Sequence, residues 1–133
     1  MKRLPWLDRA LTVCSHCYCL RLSEREFWEE LNRLGLAPNL WPKFIAGKFS
    51  HATTHFFDSP EGRRIAIVCL DMKANIDGIQ VAALLAHEAV HIWQAHARSI
   101  GSFNDHGDEE EAYAIQAITQ ALMYSFREQV YGK

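Results

Sequence analysis

A chain of 133 residues, 49% apolar and 23% charged, carries enough apolar material for one self-sufficient core, and residues 1–133 read as a single domain. The formal net charge is −2, and the lysines and arginines are scattered apart from Lys2-Arg3 and Arg63-Arg64, which excludes a basic footprint for nucleic acid or an anionic membrane. No apolar run approaches the ~20 residues of a membrane span. Asp8 and Arg9 break the N-terminal stretch and no small-residue cleavage site follows, so the expectation is a cytoplasmic protein with reduced cysteines.

The first element expected is a short strand at "CYCLRL", Cys17 to Leu22, which alternates weakly. Ser23 then opens a helix, with Glu26 three residues on as a capping box. Phe27, Trp28, Leu31 and Leu34 form its apolar face and Gly35 ends it. "APNLWP" is a loop. "ATTHFF" and "RRIAIVCL" are rich in β-branched and aromatic residues and flank the turn "DSPEG", which predicts an antiparallel hairpin. Asp77 as N-cap with Gln80 at N3 predicts a helix from about Gly78 to Arg98, closed by Gly101. After the loop "SFNDHG" a last helix starts near Asp108, with Ile115, Ile118, Leu122 and Phe126 at helical spacing. Helix, hairpin, helix, loop and helix in that order define an α+β domain.

The chemistry concentrates in "AALLAHEAVHIWQAH", Ala82 to His96. His87 and His91 are four apart and project from one helical face, so their imidazoles can share one ion. Zinc suits two imidazoles completed by a carboxylate. Glu88, beside His87, can take a proton from water at the ion without itself ligating, which is the H-E-x-x-H arrangement of metal-assisted hydrolysis. The competing reading is a chance match among seven histidines. Burying such groups in an apolar helix without partners would be costly, and a metal supplies one.

Candidates for a third ligand are His96, Asp105, His106, Asp108, Glu109, Glu110 and Glu111. His96 stands five residues beyond His91, about 140° round the helix, and points elsewhere. His106 does not fit H-E-x-x-H-x-x-G-x-x-H, because the spacing is wrong and position 94 is glutamine. "HEAVH" followed after nineteen residues by Glu111 in "EEAYAIQ" resembles the gluzincin branch of zinc metallopeptidases. The resemblance covers roughly 53–129 and implies a minimal zincin-like domain: an antiparallel hairpin packed on the active-site helix, an edge strand along the substrate, and the ligand set His87, His91 and Glu111, with Glu110 the neighbouring alternative. More narrowly, "IQVAALLAHEAVHIWQ" with "EAYAIQAITQALMYS" is similar to small H-E-x-x-H proteins of tailed phages and prophages. Two departures stand against the larger enzymes. Only 22 residues follow Glu111, and Ile115 stands where they carry an aspartate. The acidic run "DEEE" also has a plain use in complementing a helix dipole.

"CSHCYC" offers Cys14, His16, Cys17 and Cys19, but a closed thiolate site wants a second separated pair, and free thiols are the commoner outcome. His51 and His55 share strand parity ~13 Å apart, too far for one ion. For an oxyanion donor the candidates are His106, Tyr113 and His55, with Tyr113 about 200° from Glu111 and facing away. The expected function is zinc-dependent hydrolysis of a peptide or related amide bond in an unidentified peptide or protein substrate, with Glu88 as general base. The alternative is a zinc-stabilised binding or structural module without catalysis, such as a phage accessory or virion protein.

Overall fold

The computed structural model describes Leu4, Trp6, Leu7 and residues 16–74, 76–101 and 108–132. Its elements run β1 (His16–Arg21), α1 (Glu24–Arg33), a 3-10 turn at Pro38–Leu40, β2 (Ala52–Asp58), β3 (Arg64–Leu70), α2 (Gly78–Ser99) and α3 (Asp108–Tyr131). The domain is therefore α+β, with three α-helices and a three-stranded sheet among the described residues. None of the described helices is long and apolar enough to cross a membrane.

The hairpin forms as its composition requires. β2 and β3 pair antiparallel from Ala52↔Leu70 to Asp58↔Arg64, and Gly62 takes the positive φ of +82° that the turn needs. β1 lies on the other side of β3, parallel to it, with His16 opposite Arg64 and Arg21 opposite Cys69. That leaves β3 central and β2 at an edge. A central strand has no solvent face, and "IAIVCL" accordingly reads as an unbroken apolar run, buried throughout.

Side chains alternate along β3 and divide the interior into two cores. Ile65, Ile67 and Cys69 meet Phe27 and Leu31 of α1 together with Phe44. Ala66, Val68 and Leu70 meet Leu85, Ala89 and Ile92 of α2 and Ile118 and Leu122 of α3. The layers are thus α1, sheet, and the α2–α3 pair. Each fully buried leucine or isoleucine here contributes about 1.5–3 kcal/mol.

The helix ends follow their signals. The Ser23 hydroxyl accepts from the Glu26 N–H at 3.2 Å, and Gly35 at φ +82° closes α1. The expected apolar face of α1 needs one correction. Trp28 is outside the core and stacks on Trp41 at 6.2 Å, while Glu30 takes a buried place because Arg21 pairs with it at 2.9 Å. In α2 the Asp77 carboxylate and the Gln80 side chain satisfy one another's backbone N–H groups, each at 2.9 Å, in a complete capping box. Gly101 follows the helix at φ +69°. Ala114 of α3 packs on Trp93 and Ala97, so α3 returns antiparallel along α2.

Candidate metal centre

α2 sits over the sheet with Leu85, Ala89 and Ile92 inward. Glu88 lies at the border of that face, only 4% exposed, and turns toward β2. There the Thr54 hydroxyl donates to Glu88 Oε1 at 2.7 Å, a charge-assisted length. His87 and His91 are one turn apart on the solvent side of the same helix. Their Nε2 atoms approach to 3.2 Å, with the rings edge-on at a centroid separation of 4.8 Å.

That approach can be compared with what an ion requires. Two imidazoles ligating zinc at about 2.0–2.1 Å with a tetrahedral angle bring their nitrogens to about 3.3–3.4 Å. The observed separation is close to that figure, and the atoms that converge are the ring nitrogens able to ligate. In the chain by itself the same separation suits one ring donating N–H to the other. Gln94 Oε1 lies 3.3 Å from His91 Nδ1. A proton on Nδ1 donated to Gln94 leaves the Nε2 lone pair of His91 directed at the shared point, which is the usual service of a ligand's hydrogen-bond partner.

No described side chain joins this pair as a third donor. Among the described residues no three His, Cys, Asp or Glu side chains form a metal-binding group. Glu111 is partly buried in the first turn of α3, and Glu109 and Glu110 are exposed beside it. Because Ala114 packs against Trp93 and Ala97, that first turn lies level with the last turns of α2. Glu110 accordingly acts on His96: burial holds the His96 imidazole below the ordinary histidine range, Glu110 opposes that, and Arg64 adds to it. Asp105, His106 and the Asp108 side chain lie outside the described residues.

Strand alternation settles several other candidates. His55 faces α1, where its ring stacks on Phe27 at 4.8 Å and its Nε2 meets the Phe44 carbonyl at 3.0 Å. It therefore lies on the opposite face of the sheet from Glu88 and cannot serve as an oxyanion donor there. Tyr113 is 65% exposed on α3. His16 is on the α2 side, against Phe56, whereas Cys19 belongs to the α1-side core, so the two do not share a site. Cys17, Cys19 and Cys69 are free thiols, and Cys14 is outside the described residues.

Two participants escaped the sequence reading, Thr54 and Gln94. Gln94 could have been found, since it stands three residues past His91 on the same helical face. Thr54 could not, because its partner is 34 residues away and the pairing depends on which strand α2 covers. Beside His87 and Glu88 opens a depression of about 490 Å³ walled by Phe49, His51, Ile76 and Leu84 among others. It is lined mostly by apolar and small side chains, with the Glu88 carboxylate and the imidazoles of His51 and His87 as its ionisable groups. No family model matches the chain, and neither a curated protein nor a solved structure does.

Proposed function

We propose that this domain is a zinc-dependent hydrolase of a peptide or related amide bond, built as a minimal gluzincin-type domain. The observation that supports it most is the convergence of His87 and His91 Nε2 at 3.2 Å next to a buried carboxylate held by Thr54. His87 and His91 would hold the ion. Glu111 is the proposed third ligand, from the helix packed beside α2, and Glu110 the alternative. When bound, zinc supplies Lewis acidity toward a carbonyl and toward water. Glu88 removes the proton of the attacking water and passes it to the leaving amine. Thr54 fixes one carboxylate oxygen, so the other is directed at the cleft. Gln94 orients the His91 ring through its Nδ1, and Phe49, Ile76 and Leu84 offer apolar surface beside the pair.

A second reading has its own observation. Glu88 is buried and hydrogen-bonded to Thr54, which ties α2 to the sheet edge and is a structural service that needs no catalysis. On that reading the domain is a zinc-stabilised binding module, such as a phage accessory or virion protein in a host cytoplasm. Glu88→Gln separates the two. A hydrolase retains zinc and loses ~10²-fold or more in turnover, the scale of general acid–base catalysis. If the substitution leaves turnover unchanged, Glu88 is not the general base. A wild-type protein that holds zinc and cleaves no member of a broad peptide library supports the module.

A further inference from the structure

The pair His87–His91 is flanked on both sides along α2 and β2, and the two flanks differ in chemistry. Toward the start of β2 is the largely apolar depression beside Phe49 and Leu84, which also holds the Glu88 carboxylate. Toward the end of β2 is a second depression of about 490 Å³, lined by His16, Phe56, Asp58, Arg64, Arg98 and Ser99 among others. Its floor comes from the ends of all three strands. His16, Arg64 and Asp58 are register neighbours across the sheet on the α2 side. Its wall is the last part of α2, where Ala95 leaves the space open.

We infer that this second depression is a subsite for a carboxylate of an extended peptide that runs along the edge strand β2 past His87 and His91. The guanidinium groups of Arg64 and Arg98 and the Asp58 carboxylate line it, and Arg64 supplies the charge on which the subsite rests. Arg64 is exposed and makes no ion pair with any described residue, including Asp58 opposite it, and its fork remains available for a carboxylate. His16 is buried at 5% exposure against the Phe56 ring, 5.8 Å away, and gives the floor a fixed polar group. Burial first, then the nearby charges of Arg64 and His96, hold His16 below the ordinary histidine range, against a smaller opposing effect of Asp58.

Spacing fixes where the acid falls. Ala95 and Ser99 are one and two turns beyond His91, about 6–12 Å along the helix axis at 1.5 Å per residue. An extended peptide covers that in about two to four residues. The substrate class is thus a peptide with a neutral or apolar residue on one side of the bond at His87–His91 and a carboxylate two to four residues away on the other. The carboxylate belongs to an aspartate or glutamate side chain or to the peptide's own C-terminus.

This inference rests on the hydrolase reading for its placement, and binding tests it separately from cleavage. Fluorescein-labelled decapeptides of alanine and leucine are titrated by anisotropy into the full-length zinc-loaded protein. One set carries a glutamate at each position in turn with an amidated C-terminus. A second carries glutamine in the same places, and a third has glutamine with a free C-terminal carboxylate. The glutamate or free-carboxylate set is expected to bind ~10-fold tighter than the neutral set, as one well-formed guanidinium–carboxylate pair provides. Which of the two charged sets gains identifies the source of the carboxylate. Arg64→Gln should erase the preference and leave the neutral set unchanged, and Arg64→Glu should reverse it. Equal binding by all three sets, no binding by any, or a preference that survives Arg64→Gln overturns the subsite. Mass spectrometry of the same mixtures reads cleavage: acid-selective binding without cleavage retains the subsite and retires the hydrolase, and cleavage without acid selectivity does the reverse.

Discussion

Thr54→Val removes the hydroxyl that donates to Glu88 Oε1 at 2.7 Å and changes little else, since valine has the same shape and suits a strand. Glu88 is 4% exposed, so solvent replaces the lost partner only in part. A hydrogen bond to a charged group is worth about 1.5–3 kcal/mol. Unfolding entropy near 2.1 cal/mol/K per residue gives about 0.28 kcal/mol/K for a chain of 133 residues, so Tm should fall by about 5–10 °C. Differential scanning calorimetry at pH 7 measures this. Thr54→Ser keeps the hydroxyl and should lose only about 1 kcal/mol for its missing methyl. In a Glu88→Gln background the cost of Thr54→Val should drop to that of a neutral hydrogen bond, about 1 kcal/mol, and the double-mutant cycle isolates the charge-assisted part. A Tm within 2 °C of wild type for Thr54→Val, or the same cost in both backgrounds, refutes the argument that Thr54 holds an ionised carboxylate.

Elemental analysis should find about one zinc per chain, lost in His87→Ala and in His91→Ala and released by acid because protonated imidazole cannot ligate; sub-stoichiometric zinc that does not rise on addition would exclude the centre. Glu111→Ala should weaken zinc binding far more than Glu110→Ala or Glu109→Ala in a competition titration with a chromophoric chelator, and equal small effects from all three would leave the acidic run as a helix-dipole partner only. His16 and His96 are both held below the ordinary histidine value, so between their folded values and about 6.5 the unfolded chain binds more protons. Stability then rises with pH across that window and is lost as pH falls through the folded values. In chelator-treated protein Tm should drop from pH 7 toward pH 5, less steeply in His16→Gln, and identical slopes would contradict the burial argument.

What could be read in advance depended on the range of the interaction. Local signals located the elements: Ser23 before "EREFWEELNR", the Asp77–Gln80 box, and "DSPEG" between two β-branched runs each act within a few residues. The parallel pairing of β1 with β3 was not legible, because the partners are separated by α1 and the whole of β2 and nothing local in "CYCLRL" specifies a neighbour. Trp28 was misplaced for a related reason. Periodicity alone makes tryptophan the better core residue than Glu30, and only the distant Arg21 makes burial of the glutamate tolerable. At the site, the i, i+4 pair His87–His91 was legible because a helix fixes it. The third ligand was not, because it depends on how α3 meets α2.

The helical positions of the site explain why the two depressions lie along one side of α2. At about 100° per residue, Leu84, Glu88, His91 and Ala95 fall within about 60° of one another on α2. They make a stripe at the border between the face that carries Leu85, Ala89 and Ile92 and the face exposed to solvent. A border stripe beside an edge strand is neither fully buried nor covered. It can bury most of the Glu88 carboxylate and present the His91 imidazole to solvent about one turn later. The end residues differ in size and surroundings, with Leu84 among apolar walls and Ala95 opening onto Arg64 and Arg98. On the proposed reading, a ligand lying along this side of α2 would meet the apolar surface at Leu84, then His87 and Glu88, then His91, and Arg64 last. On that reading such an order would distinguish the two directions of a peptide chain.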